Sequence, residues 1–241
     1  MLMFLLVASS TATAYGGNTV SQSISMDGQG GYVSQSAANS AVVFGSNNQV
    51  NQNINQNAQG DYITQSAANA AVVVGNCNDV NQGIRQNADG SYIMQAGANA
   101  VAVVGNYNDV TQSVSQWALG DEIYQTGYNT GTIIGNANSL TQKTLAHART
   151  RPVVPVGCGD PVQDMSNFAY IAGSYNDVDQ YISGYAMVGY GNGPIIQGGS
   201  NIIQTPNPYG NSFNQGIGFV GRSGPGSEVM QSAQNEVWVG Y

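Results

Sequence analysis

Residues 79–86 alternate strictly between two kinds of side chain. One parity alternates apolar and glutamine side chains, and the other carries charged, asparagine and glycine residues: Val80, Gln82, Ile84 and Gln86 against Asp79, Asn81, Gly83 and Arg85. A period of two is expected of a β-strand that buries one face. The pattern therefore predicts a half-buried strand.

Two further strands are predicted in the same stretch of about thirty residues. Residues 62–65 form a short alternating segment that starts with Tyr62, and Ala70–Val74 is a more continuous apolar one. Residues that tolerate positive φ separate the strands, at 75–78 and at 87–90. No long helical period occurs between Gly16 and Gln142. We therefore expect about three short strands in each unit.

These features recur every thirty residues. Gly45, Gly75, Gly105 and Gly135 keep this spacing, and three columns of amides keep it with them: Gln35, Gln65, Gln95 and Gln125; Asn39, Asn69, Asn99 and Asn129; Gln22, Gln52, Gln82, Gln112 and Gln142. Such regular spacing is typical of repeat proteins in which one unit stacks on the next. The sequence thus predicts an all-β fold, a β-solenoid or stacked β-arches, with parallel strands in register.

Stacking at the strand spacing of about 4.8 Å would place each amide over its equivalent. Equivalent amides can then hydrogen-bond along the stack, as in cross-β assemblies. Because a buried amide without a partner is costly, glutamines that share a parity with Val80 and Ile84 favour such ladders. The alternative is that these glutamines line a solvated face.

Charge is scarce in this chain. Only 7% of the 241 residues are charged, with 13 acidic and 5 basic side chains and a net charge of -8, while 41% are hydrophobic. Few basic residues argue against binding to nucleic acid or to anionic membranes. A surface of uncharged amides and hydroxyls favours packing against further copies of the chain.

The repeat pattern resembles a known family. Residues 63–71 read Ile-x-Gln-x-Ala-x-Asn-x-Ala and residues 80–86 read Val-x-Gln-x-Ile-x-Gln, which is similar to the Gln/Asn ladders of curlin repeats. The composition also resembles that of the amyloid-like sheath proteins of filamentous methanogenic archaea. The resemblance covers roughly residues 18–142, although curlin units are shorter. It implies an extracellular structural polymer.

The chain divides into four predicted segments. Residues 1–14 resemble a signal peptide cleaved after Ala14, with an ordinary buried strand as the alternative. Residues 15–142 carry the repeats, residues 143–169 form a linker or an excursion from the stack, and residues 170–241 are degenerate repeats. Because the apolar run is too short to span a bilayer, we expect a secreted protein, extracellular or at the cell surface, without membrane insertion of the mature chain.

The two cysteines, Cys77 and Cys158, gain importance if the protein is exported, because thiols oxidise outside the cell. An intrachain bridge, links between neighbouring copies and free thiols all remain open. Neither cysteine has the CxxC context of a metal or redox site.

Candidate chemical groups are few. Asp79, Asp109 and Asp177 occupy equivalent positions after turn sequences, where Asp commonly forms turns, and calcium binding by a stacked column is the weaker alternative. The sole histidine, His147, has no companions spaced as a catalytic motif and is interpreted as a solvated loop residue. We expect no enzymatic activity and no cofactor.

Two functions are compatible with these features. The first is a secreted structural protein that assembles with copies of itself, and with a nucleating or other surface protein, into a fibre, sheath or surface layer. The second is a monomeric secreted solenoid that binds carbohydrate or another surface, for which the column of Tyr32, Tyr62 and Tyr92 is the candidate platform.

Overall fold

The computed structural model describes residues 3–17, 19–45, 47–75, 77–105, 107, 109–150, 160–188, 194–207, 209–223 and 228–240. These residues form thirteen strands and contain no helix. The strands are β1 (Met3–Tyr15), β2 (Thr19–Gln29), β3 (Tyr32–Phe44), β4 (Gln49–Val74), β5 (Asp79–Val104), β6 (Asp109–Gly120), β7 (Glu122–Ile134), β8 (Ser139–Thr150), β9 (Pro161–Ala172), β10 (Asp177–Met187), β11 (Ile195–Thr205), β12 (Ser212–Arg222) and β13 (Val229–Val239).

The strands build a β-solenoid of about seven turns, each of about 30 residues. A first wall consists of β2, residues 49–60 of β4, residues 79–90 of β5, and then β6, β8, β10 and β12. A second wall consists of β1, β3, the later halves of β4 and β5, and then β7, β9, β11 and β13. All of these pairings are parallel, and Gln65 lies opposite Gln95, so the predicted all-β fold with parallel in-register strands is confirmed.

The core lies between the two walls. Side chains alternate along each strand, and Val80, Gln82, Ile84 and Gln86 all point inward with at most 2% of their surface exposed. Apolar layers pack near both bends of each turn and between the amide columns, for example Ile54 against Ala67 in the middle of the turn. The period of two in the sequence thus decides which side chains are buried.

Each turn contains two long strands and not the three short ones predicted. The expected strands at 62–65 and Ala70–Val74 are one continuous strand, residues 62–74 of β4. The small residues between them keep the alternation, because Ala67 and Asn69 point inward while Ala68 and Ala70 are exposed. No glycine or proline interrupts residues 62–74, and their backbone stays extended.

The segment predicted as a linker or excursion at 143–169 is largely part of the stack, contrary to that prediction. Residues 143–150 continue β8 and residues 161–169 open β9, both paired in register with their neighbours. Thr144, Ala146 and Ala148 supply the inward side chains, while Lys143 and His147 point outward. Lys143 and Arg149, two of the basic residues clustered in this segment, both lie on the outer face of the strand and do not interrupt its pairing. Residues 151–159 lie outside the described part of the chain.

The first and last described segments also form strands, β1 and β13. Residues 3–15, which fall in the predicted signal peptide and just beyond it, form β1 and pair with β3. Cleavage after Ala14 stays a prediction. Residues 170–241 contribute the end of β9 and strands β10 to β13, with Gln197 and Gln231 in register with Gln163.

Glycines make the tight turns of the solenoid possible. Gly75 has a φ of 150°, and a Cβ atom there would lie 1.6 Å from the carbonyl oxygen of Gly45 in the preceding turn. Gly135 and Gly173 repeat this close approach, at 1.6 and 1.7 Å from the equivalent oxygen. The column of glycines in the sequence therefore reflects a place where successive turns touch through their backbones.

Candidate functional site

Three columns of amides run along the core, and each predicted ladder continues beyond the repeats that revealed it. The Gln22 ladder extends through Gln142 to Gln180 and Gln215, with nitrogen to oxygen distances of 2.7–3.0 Å. The Gln35 ladder extends to Gln163, Gln197 and Gln231 at 2.7–2.9 Å. The Asn39 ladder extends to Asn167, Asn201 and Asn235 at 2.9–3.0 Å.

A fourth ladder was missed in the sequence. Gln56, Gln86 and Gln116 stack in the first wall, with Gln86 Nε2 donating to Gln56 Oε1 and Gln116 Nε2 donating to Gln86 Oε1, both at 2.8 Å. Their thirty-residue spacing was the signal that could have identified them. The ladder is short because Met26 and Ala146 occupy the same column on either side of it.

The ladder amides also join the two walls. Asn69 Nδ2 donates to the backbone oxygen of Gly83, Gln65 Nε2 donates to that of Asn87, and Gln86 Nε2 donates to that of Ala96. Each such side chain uses one N–H along the stack and the other across the core. Buried amides are thus satisfied in two directions, which makes the polar columns compatible with a dry interior.

The ladders have a direction. In the two long glutamine ladders every Nε2 donates toward β2 and β3, whereas in the asparagine ladder every Nδ2 donates toward β13. At the start of these ladders two buried atoms have no partner among the described residues, Gln22 Nε2 on β2 and Asn39 Oδ1 on β3. Gln22 Nε2 lies at the exposed edge of the first wall, whereas β1 covers the edge of β3 without satisfying Asn39 Oδ1.

The tyrosine column is occupied by its own stacking. Tyr32 and Tyr62 lie 4.6 Å apart between ring centroids, and Tyr62 and Tyr92 lie 4.8 Å apart, with interplanar angles of 7° and 2°. Because the rings face one another along the stack, both faces of Tyr62 are covered. Face-to-face stacking of a sugar on this ring is therefore excluded.

A second aromatic column lies on the outer face of the first wall. The His147 ring lies between those of Trp117 and Tyr185, at centroid distances of 6.5 and 4.5 Å and with tilted planes. These rings line an open groove of about 1020 Å³, together with Arg85 and Asn55. Partial burial, and secondarily the charge of Arg149, lower the pKa of His147 below its ordinary value. His147 lies on a strand, and not in the loop that the sequence predicted.

The three candidate calcium ligands do not form one column. Asp79 lies beside Asp109 on the next turn, but Ser139 separates Asp109 from Asp177. Across the described part of the chain, no group of three or more His, Cys, Asp or Glu side chains could hold a metal ion. Cys77 is exposed with a free thiol, whereas Cys158 lies outside the described residues, so their pairing stays a prediction.

Comparisons with known proteins give no match. No protein-family model matches the chain, and neither curated proteins nor solved structures yield a significant similarity. No helix in the described ranges is long and apolar enough to cross a membrane.

Proposed function

We propose that this protein is a secreted structural protein that assembles with itself into an extracellular, amyloid-like β polymer, as a fibre, sheath or surface layer. The observation that carries the proposal is the set of amide ladders, three of which run from β2 or β3 to β12 or β13 and leave Gln22 Nε2 and Asn39 Oδ1 buried and unpartnered. In the mature chain, without residues 1–14 to cover β3, a further rung from another copy would satisfy both atoms. The resemblance to curlins and to archaeal sheath proteins supports the same function.

Exposed strand edges also favour the addition of another copy along the axis of the stack. In the described part of the chain β12 and β13 each pair on one side only, as does β2. Unpaired backbone N–H and C=O groups at a strand edge favour pairing with another chain. With 7% charged residues, little repulsion opposes it.

The proposed role is structural. Its main partner is a second copy, with a nucleating surface protein as a further candidate. The role includes no catalysis, no nucleic-acid binding and no membrane insertion of the mature chain. Secretion follows in this proposal from the apolar residues 1–14.

Two adjacent residues of β12 provide a matched test. Gln215 points inward and closes its ladder at the open edge, whereas Asn214 is exposed. Gln215→Lys in the mature chain places a charge inside the contact between copies and should abolish filaments, as judged by electron microscopy and amyloid-dye binding. Asn214→Lys makes the same charge change on the outside and should leave filaments intact. A mature wild-type chain that remains monomeric at high concentration would overturn the proposal.

Carbohydrate binding is the second candidate, and the groove beside Trp117 favours it over the tyrosine column. Trp117 is 40% exposed, and amide, hydroxyl and guanidinium groups stand beside it in a groove that remains accessible. Aromatic surfaces next to hydrogen-bonding groups fit the apolar and polar faces of sugars. Trp117→Ala should abolish binding to a glycan array if this function operates, and no binding by the wild-type monomer excludes it.

A further inference from the structure

The first strand stands apart from the pattern of complete turns. In the described part of the chain the first wall contains seven strands, from β2 to β12, and the second contains eight, because β1 precedes β3. β1 pairs with β3 and with no strand of the first wall. Without β1, the stack would consist of seven full turns with β2 and β3 at one edge and β12 and β13 at the other.

The sequence of β1 does not extend the ladders that it covers. Leu6 lies opposite Gln35, and Ser10 lies opposite Asn39. Asn39 Oδ1 remains buried without a partner even though β1 is in place. Leu6, Ala8, Ala12 and Ala14 pack against the apolar core but stay only partly buried. β1 therefore covers the apolar columns of β3 and offers no amide to its two ladders.

The opposite edge of the stack carries the matching amides. Gln215 and Gln231 use their Nε2 atoms within the chain, which directs their Oε1 atoms to the open edge. Asn235 Oδ1 accepts from Asn201 Nδ2, so the Nδ2 of Asn235 faces the open edge. A second copy placed head to tail would set Gln215 Oε1 against Gln22 Nε2 and Asn235 Nδ2 against Asn39 Oδ1. Head-to-head contact would set donor against donor.

The apolar columns match across the same contact. Following the register from turn to turn places Phe213 over Val20, Ile217 over Ile24 and Phe219 over Met26 of the next copy. The glutamine column that ends at Met26 would thus meet an aromatic side chain and not another amide. Both polar and apolar columns continue across the junction without a mismatch.

From these contacts we propose that β1 is a removable cap on a head-to-tail seam between copies of this chain. The inference rests on the proposed self-assembly and adds the seam, its polarity and the element that controls it. β13 of a second copy and β1 compete for the same edge of β3, and only β13 brings Gln231 and Asn235 to the ladders. A second copy also pairs both walls, whereas β1 pairs one. Loss of β1 therefore opens the seam.

The test begins with the full chain, in which a site-specific protease sequence is inserted between Gly16 and Gly17 and both native cysteines are replaced by serine. A pinned version carries Thr11→Cys and Ser40→Cys, since Thr11 lies opposite Ser40 on the outer face. Neighbouring strands at about 4.8 Å have the separation that a disulfide requires. Sedimentation and electron microscopy then measure assembly before and after cleavage.

If β1 is a cap, uncut protein stays monomeric and cut protein forms filaments. The oxidised pinned protein stays monomeric after cutting and assembles only when its disulfide is reduced. Assembly of uncut or pinned protein at the rate of the cut protein would overturn the cap while leaving self-assembly intact. Absence of assembly from every form would overturn self-assembly and the cap together.

A cross-link between cut copies tests the polarity of the seam. Ser21 lies in the same outward column as Asn214, so a mixture of a Ser21→Cys copy and an Asn214→Cys copy should form disulfide dimers. Asn214→Cys mixed with Ser25→Cys, four residues out of register, should not. Dimers formed by Ser21→Cys copies alone would contradict the head-to-tail arrangement.

Discussion

Buried amides are the residues on which the structure depends most. Gln82 is 1% exposed, donates through Nε2 to Gln52 Oε1 at 2.7 Å and accepts from Gln112 Nε2 at 3.0 Å. An isolated buried amide would destabilise the fold, but a column of them supports itself because each side chain is both donor and acceptor. The ladder therefore specifies register as well as stability.

Gln82→Leu should destabilise the protein by about 1–3 kcal/mol, the usual cost of leaving buried polar partners unsatisfied. Gln52 Oε1 loses its donor, Gln82 Nε2, and Gln112 Nε2 loses its acceptor, Gln82 Oε1. Urea unfolding followed by circular dichroism measures the change. Gln59→Leu is the control, since Gln59 is exposed and its contact with Gln29 is long at 3.4 Å. Equal effects of the two substitutions would contradict the role of the ladder.

His147 predicts that the stability of the fold depends on pH. Its folded pKa lies below the unfolded value of 6.5, because of burial first and Arg149 second, so the unfolded chain binds more protons in the interval between the two values. Stability should thus be full above about pH 6.5 and fall as the pH decreases toward the folded pKa. Thermal unfolding between pH 7.5 and 5 should show this fall in the wild type and a shallower one in His147→Gln. Identical profiles would contradict the assignment.

At the scale of the turns, glycine is required where successive coils touch. Gly75→Ala should destabilise the protein well beyond the roughly 1 kcal/mol that is typical of point substitutions, because its Cβ would meet the Gly45 oxygen and its φ is positive. Gly218→Ala is the matched control, since nothing lies within 4 Å of the added Cβ. Thermal unfolding of both variants measures the difference, and a tolerated Gly75→Ala would contradict the close approach.

The sequence predicted the elements where its periodicity is strict and failed where only composition was available. The period of two identified inward side chains such as Val80 and Gln82, and the thirty-residue period identified their neighbours along the stack. The break expected between residues 65 and 70 was wrong because residues 66–69 keep the period of two and fit an extended strand. The linker expected at 143–169 was wrong because the inward Thr144, Ala146 and Ala148 keep the period of two through the segment, while Lys143 and Arg149 lie on the outer face.

The unpaired amides at the stack edge could not be predicted from sequence. Their significance depends on the direction in which each ladder donates, and that direction follows from contacts across the core such as Asn69 Nδ2 to Gly83 O. The missed Gln56 ladder, in contrast, was accessible from spacing alone.

At the scale of the whole molecule, an assembled polymer continues the solenoid axis. About seven turns at a spacing of about 4.8 Å give each copy an axial length of about 34 Å. A seam that matches the internal register would make the boundary between copies equivalent to the boundary between turns. Strands would then lie perpendicular to the filament axis, as in cross-β fibres.

Cryo-electron microscopy of filaments formed by the purified mature chain tests the central claim most directly. Self-assembly through the ladder edges predicts a meridional spacing of about 4.8 Å and an axial subunit repeat of about 34 Å, with strands perpendicular to the axis. A chain that stays monomeric at high concentration, or filaments in which the strands run along the axis, would contradict it.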